Sequence, residues 1–168
     1  MRPVITVGND AFESTKGVLF AGSSSDLIPN TNTNAWVQLF NPPDSNVNLF
    51  INVIVLANFS TDLVRADLYL NSEPPGAKFE STKVTSVNVG SPNQPMGQIH
   101  FNPSVQGVPV GGTNIGSRAL TPHSTFFETA EGRIILEPGT NLVLFIGSRT
   151  ETVSQIGFEW WEGKEIVC

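Results

Sequence analysis

Apolar residues along this chain recur with a period of two rather than 3.6, in short runs cut by Pro, Gly and Asn, which predicts strands and turns. The pattern is strongest over residues 34–60, NAWVQLFNPPDSNVNLFINVIVLANFS, where two extended runs flank a turn cluster at 41–46. In the second run Val47, Leu49, Ile51, Val53, Val55, Ala57 and Phe59 share one side of a period-two strand, so that side is expected to face a core. The other side, Asn48, Phe50, Asn52, Ile54, Leu56 and Asn58, starts polar and becomes apolar halfway along. A strand of about eleven residues exceeds the usual length. Burying its aliphatic side chains at roughly 2 kcal/mol each makes it the expected spine of the fold.

The first run alternates Ala35, Val37 and Leu39 with Trp36, Gln38 and Phe40, which predicts cover on both faces. Residues 65–71 alternate cleanly, with Ala66, Leu68 and Leu70 inward and Arg65, Asp67 and Tyr69 outward. Residues 142–146 are apolar throughout. In residues 152–162 the set Ser154, Ile156, Phe158, Trp160 opposes Val153, Gln155, Gly157, Glu159, Trp161, so the adjacent tryptophans point to opposite faces. Gly157 there predicts a bulge or a close backbone approach.

Shorter strands are expected at 3–7, 17–21, 84–89, 97–102, 125–128 and 133–136, with Glu131 and Gly132 forming a turn. Residues 103–122 read as a long loop that could conceal a short strand at 105–110 or 118–120. No window predicts a helix. The fold class is therefore all-β: an antiparallel β-sandwich of jelly-roll or other Greek-key type with about ten strands. Residues 1–9 form an N-terminal arm and residues 10–168 a single sandwich domain.

Composition agrees. With 39% hydrophobic and 14% charged residues in a chain of 168, the core needs no metal or disulfide staple. The polar content is mostly Ser, Thr and Asn, which predicts a neutral, hydrogen-bonding surface. A net charge of −6 with Lys and Arg scattered singly excludes nucleic acid as a partner. No apolar segment follows Met1 and Arg2, so no signal peptide is expected, and no run is long enough for membrane insertion. The one cysteine, Cys168, rules out an internal disulfide and leaves a free thiol or an intermolecular bridge.

Reactive groups are sparse, so no enzyme activity, cofactor or metal is expected. His100 falls on the polar side of a strand and His123 in a turn, and neither has a catalytic partner nearby in sequence. No P-loop, nucleophile elbow or zinc motif occurs. Glu128, Glu131 and Glu137 at strand ends, with Glu159 and Glu162 beside the tryptophans, are the carboxylates a glycosidase would need, but such positions are ordinarily solvated. Asp44, Asn46 and Asn48 resemble part of a calcium loop without its remaining ligands. Gly111 and Gly112 before Thr113 and Asn114 read as a turn rather than an anion site.

Function is then expected to lie in surfaces. The β-prone arm Arg2, Pro3, Val4, Ile5, Thr6 and Val7 can add as a strand to the sheet of a neighbouring copy, giving a self-assembling subunit of a filament, appendage or coat layer. Cys168 is the candidate bridge between copies. The alternative is a carbohydrate-binding module that uses Trp161 and Tyr69 as exposed aromatic contacts, or a phage decoration or fibre protein.

The segments NAWVQLFNPPDSNVNLFINVIVLANFS, PVGGTNIGSRALTPHST, EPGTNLVLFIGS and GFEWWE together resemble a family of small uncharacterised all-β proteins from spore-forming Gram-positive bacteria. That resemblance covers most of the chain and brings no catalytic residues with it. It implies a place on the spore or cell surface after release by lysis, with the cytoplasm as the other location.

Overall fold

The computed structural model describes residues 8–164, so the arm at residues 2–7 and Cys168 lie outside the described residues. The order is a short helix α1 (Asn9–Thr15), then β1 (Leu19–Ser23), β2 (Asn34–Phe40), β3 (Asn48–Asn58), β4 (Val64–Leu70), β5 (Phe79–Glu80), β6 (Val84–Ser86), β7 (Gln98–Val105), β8 (Thr113–Leu120), β9 (Ser124–Leu136), β10 (Asn141–Gly147) and β11 (Ser154–Gly163). One sheet has the order β6-β1-β11-β3-β9 and the other β5-β7-β2-β10-β4-β8, with every pairing antiparallel.

The topology follows from four pairings. β1 lies beside β11, β2 beside β10, β3 beside β9 and β4 beside β8. A long antiparallel ribbon, β1 to β4 running out and β8 to β11 running back, thus wraps so that successive strands alternate between sheets. That is a jelly roll. The inserted strands β5, β6 and β7 widen both sheets on the β1/β2 side.

The core fills the space between the sheets. Phe20, Leu49, Ile51, Ile54, Leu56, Ile156, Phe158 and Trp160 from one layer meet Ala35, Val37, Leu39, Ala66, Leu68, Leu142, Leu144 and Ile146 from the other. β3 is the centre of its sheet, but it does not keep one parity. The ladder to β9 jumps from the pair Ile51 and Ile134 to the pair Val53 and Thr129, and the ladder to β11 jumps from Trp160 to Glu159 at the same level. Asn52 is the extra residue of this bulge, and its Nδ2 donates to Glu159 Oε1 at 2.5 Å. Past it, Ile54 and Leu56 are buried in the core, whereas Val53, Val55 and Ala57 are half-exposed and Phe59 is exposed. The expectation that Val47 through Phe59 share one buried side therefore holds only up to Ile51, because a bulge resets the alternation.

Opposite Asn52, residues 130–133 of β9 arch out of the ladder, with Glu131 at φ 52° and Gly132 at φ 75°. The expected turn at these two residues is this arch, inside a single thirteen-residue strand. β7 extends into the first three of the twenty residues of the expected loop at 103–122, and a further strand, β8, occupies eight of them. Its Gly116 at φ 145° and a register shift opposite Leu68 and Tyr69 make it irregular, which is why its alternation is faint. β1 starts two residues later than expected, and α1 was not expected at all. It buries no side chain, and at seven residues it offers little hydrophobic periodicity to read. Gly157 marks a close approach: a Cβ there would stand 3.3 Å from the Gly22 carbonyl oxygen.

Part of the asparagine content is internal. Asn41, Asn52, Asn58, Asn102 and Asn141 are buried. Asn58 Nδ2 donates to the carbonyls of Asp62, Leu120 and Thr121, Asn41 Nδ2 to those of Val47 and Leu136, and Asn141 exchanges two hydrogen bonds with the Ser72 backbone. These amides satisfy backbone groups where strands end and loops turn inward, the places where the ladder itself runs out of partners.

Between the sheet margins β8 and β9, Arg118 and Glu128 form a bidentate ion pair, with contacts of 2.6 and 2.8 Å. The hydrogen bond from Arg118 holds the Glu128 carboxyl below its ordinary value, with burial opposing and the charge of Arg118 adding to the shift. A carboxylate depressed in the folded state contributes stability above its unfolded pKa of about 4.3, and that stability is lost as pH falls through the lower folded value. Glu128→Gln is expected to cost about 1 kcal/mol in urea unfolding at pH 7. The deficit relative to wild type should disappear at acid pH, once the wild-type carboxyl is itself protonated. Gly132→Ala is expected to cost more, about 2 kcal/mol or above in the same assay. Its Cβ would meet a backbone at positive φ and stand 2.2 Å from Trp161 Cη2.

Candidate interaction surface

The four sheet margins differ in length. β5 and β6, on one side of the sandwich, have two and three residues; β8 and β9, on the other, have eight and thirteen. A margin strand leaves a row of backbone N–H and C=O groups unpaired, so the long margins hold most of the free pairing capacity.

Much of it is blunted. β8 is interrupted at its bulge residue Ile115, and Arg118 Nη1 donates to the Ser117 carbonyl at 3.2 Å. On β9 the arch at 130–133 breaks the ladder, and Arg133 donates to the carbonyls of Ala130 at 3.0 Å and Thr129 at 3.2 Å. The other half of β9 stays regular, from Ser124 opposite Asn58 to Thr129 opposite Val53. Phe127 projects from the outer face there, 63% exposed, and Phe126 lies at the rim of the inter-sheet gap, 42% exposed. These adjacent aromatics have the Arg118–Glu128 pair at their inner side. The strand expected at 125–128 is present, and in it both phenylalanines are exposed. Their exposure follows from β9 being terminal in its sheet.

The expected aromatic contacts do not come together. Trp161 is buried, not exposed: it stacks on Phe50 with ring centroids 5.5 Å apart and planes at 8°, packs with Leu19 and lies beneath Gly132. Tyr69 is half-buried on the outer face of the other sheet, against Trp36, Val143 and Phe145. The two rings lie on opposite outer faces of the sandwich and form no common platform. Trp36 is itself sealed by the loop after β4, its Nε1 donating to the Pro75 carbonyl at 2.7 Å. The arm residues Arg2, Pro3, Val4, Ile5, Thr6 and Val7, and Cys168, are outside the described residues.

The titratable groups are dispersed or engaged. Glu162 is buried, and its carboxylate accepts from the Met96 and Gly97 amides and from Trp160 Nε1, at 2.8 to 3.0 Å. Glu159 is held by Asn52 on the outer face. His100 packs 5.7 Å from the Phe40 ring and contacts Gln38 Nε2 through Nδ1 at 2.9 Å; burial pushes its pKa down, outweighing the charge of Glu80. His123 sits at φ 49° in the exposed turn before β9. Among the described residues, no three His, Cys, Asp or Glu side chains converge to hold a metal ion. At the former calcium-loop candidate, Asn46 bonds the Asp44 carbonyl within a turn. At Gly112 a Cβ would strike the Leu70 and Asn71 carbonyls, so the glycine serves the tight turn into β8. Among the described residues, no helix is long and apolar enough to cross a membrane.

No curated protein and no solved structure matches the chain. A family description does match, over residues 1–167: the chain belongs to DUF6143, a family of unknown function.

Proposed function

We propose that this protein is a structural subunit that assembles with copies of itself by strand addition, building a filament, appendage or coat layer at a spore or cell surface. The observation that carries the reading is the regular half of β9, a margin with Phe126 and Phe127 exposed along it and only its last carbonyl, that of Thr129, taken by Arg133. An edge of this kind pairs with an added strand through its main chain, while side chains on either face set the fit. The arm Arg2 to Val7 has the composition of such a strand, with Val4, Ile5, Thr6 and Val7 in sequence.

Dispersed acids and bases suit a protein whose work is contact rather than chemistry. The resemblance to proteins of spore-forming Gram-positive bacteria supports the surface location, reached after lysis of the cell that makes the protein. Cys168 adds a covalent lock between neighbours under oxidising conditions. The carbohydrate reading lacks comparable support, because Trp161 is buried and Tyr69 belongs to the opposite outer face.

Sedimentation and electron microscopy of the full chain under reducing conditions are expected to reveal polymers, and removal of residues 1–7 to leave monomers with an unchanged melting temperature. A full chain that stays monomeric at high concentration, or polymers unaltered by the truncation, would refute the proposal.

A further inference from the structure

The geometry points to residues 124–129 of β9 as the edge that accepts residues 3–7 of a second copy, an inference that rests on the strand-addition reading above. Four observations converge on this edge. The margins β5 and β6 are too short to hold a five-residue strand. β8 is interrupted at Ile115, its Ser117 carbonyl is taken by Arg118, and Ser117 Oγ is tied to Arg65 and Asp67. The other half of β9 is arched, and Arg133 takes the Ala130 carbonyl there and the Thr129 carbonyl at the boundary. What remains is the straight stretch from Ser124 to Thr129, six residues or about 20 Å, in which only the terminal Thr129 carbonyl is engaged; it is long enough for the five residues 3–7, about 17 Å in extended form.

The chemistry of the two strands matches as well. Alternation places Pro3, Ile5 and Val7 on one face of the donor and Val4 and Thr6 on the other. The acceptor offers Phe126 toward the sandwich gap, beside the Arg118–Glu128 pair, and Phe127 toward the outside, between Thr125 and Thr129, so each donor face meets one aromatic side chain. Pro3 has no N–H to lose, and it falls at the first position of the strand, where a proline costs least.

Placement decides the mode of assembly. Gly8 leads into α1, which is followed by β1 near the β6 margin, whereas β9 forms the opposite margin of the same sheet. Three strand spacings, about 14 Å, separate β1 from β9. A donor on one side and an acceptor on the other make a head-to-tail contact, which propagates as a filament when the rotation between copies does not close a ring.

The test uses the full chain with Cys168→Ser, a photo-crosslinking amino acid in place of Ile5, and a mixture of isotope-labelled and unlabelled copies. Adducts are expected between copies, mapping to residues 124–129. Phe127→Glu is expected to raise the concentration needed for polymers about tenfold or more, with the monomer melting temperature unchanged because the side chain is exposed. Polymers whose adducts map to β8, or within one chain, would overturn the acceptor assignment while leaving self-assembly standing. The same holds for polymers indifferent to Phe127→Glu. A chain that forms no polymer would overturn both.

Discussion

The bulge at Asn52 is the constraint on which the rest of this structure depends. β3 is long enough to cross the whole sandwich, and a strict alternation would have sent Val53, Val55 and Ala57 into the core and Ile54 and Leu56 out to solvent. One extra residue exchanges those sets. The core gains the larger pair, and the outer face receives small, flat side chains. Both neighbouring strands must accommodate the reset, β11 by a register jump between Glu159 and Trp160 and β9 by its four-residue arch. The irregularity is shared across three strands because a sheet transmits register through its ladder.

That accommodation also solves a second problem, the placement of adjacent tryptophans. Trp160 and Trp161 must face opposite sides of β11, and only one side is core. Trp160 enters the core and gives its indole N–H to Glu162. Trp161 is left on the outer face, where Phe50 supplies a stacking surface and the arch on β9 brings Gly132 over its ring. Glycine is required there twice over, for the positive φ and for the missing Cβ. The same device recurs on the other sheet, where the Pro74–Pro75 loop covers Trp36 and accepts its N–H. In both cases an outer-face aromatic is buried by neighbouring side chains together with a close backbone segment, so that it covers the sheet instead of projecting into solvent.

How much of this was legible in the residues depended on whether a feature was local. β2, β4, β10 and β11 alternate cleanly or are apolar throughout, and they form strands within two residues of where that pattern puts them. The pairing of Ala66, Leu68 and Leu70 inward against Arg65, Asp67 and Tyr69 outward is likewise a period-two fact visible in one dimension. The parity switch in β3 was not visible, since it arises from what lies on the neighbouring strands. For the same reason Glu131 and Gly132 looked like an ordinary turn: two residues at positive φ end a hairpin in one setting and form an arch in another, and only the ladder on either side distinguishes them. Of β8 only the end at 118–120 is legible as a possible short strand, because its bulge and glycine scatter the alternation before it. The buried asparagines were read as surface because a side-chain amide buried against loop carbonyls has the same letter as one in water.

The candidate surface was less legible still, for a physical reason. Exposure of Phe126 and Phe127 is a property of strand order: in the middle of a sheet the same pair would be covered on at least one flank. Strand order in a jelly roll is set by the wrapping of one ribbon, β1 to β4 against β8 to β11, and the insertion of β5 to β7 occupies the margin on the opposite side. The fold therefore concentrates its free edges on one flank. There, among the described residues, it disables most of them with a bulge, an arch and two arginines, and leaves the straight segment from Ser124 to Glu128 without such a cap. If the aim were only to avoid aggregation, the simplest remedy would have been to place a charge at the site of Phe127, as Arg118 and Arg133 are placed nearby. Among the described residues, an exposed aromatic thus sits at the stretch of this margin where neither bulge, arch nor arginine stands, and that edge keeps its capacity to pair with an added strand.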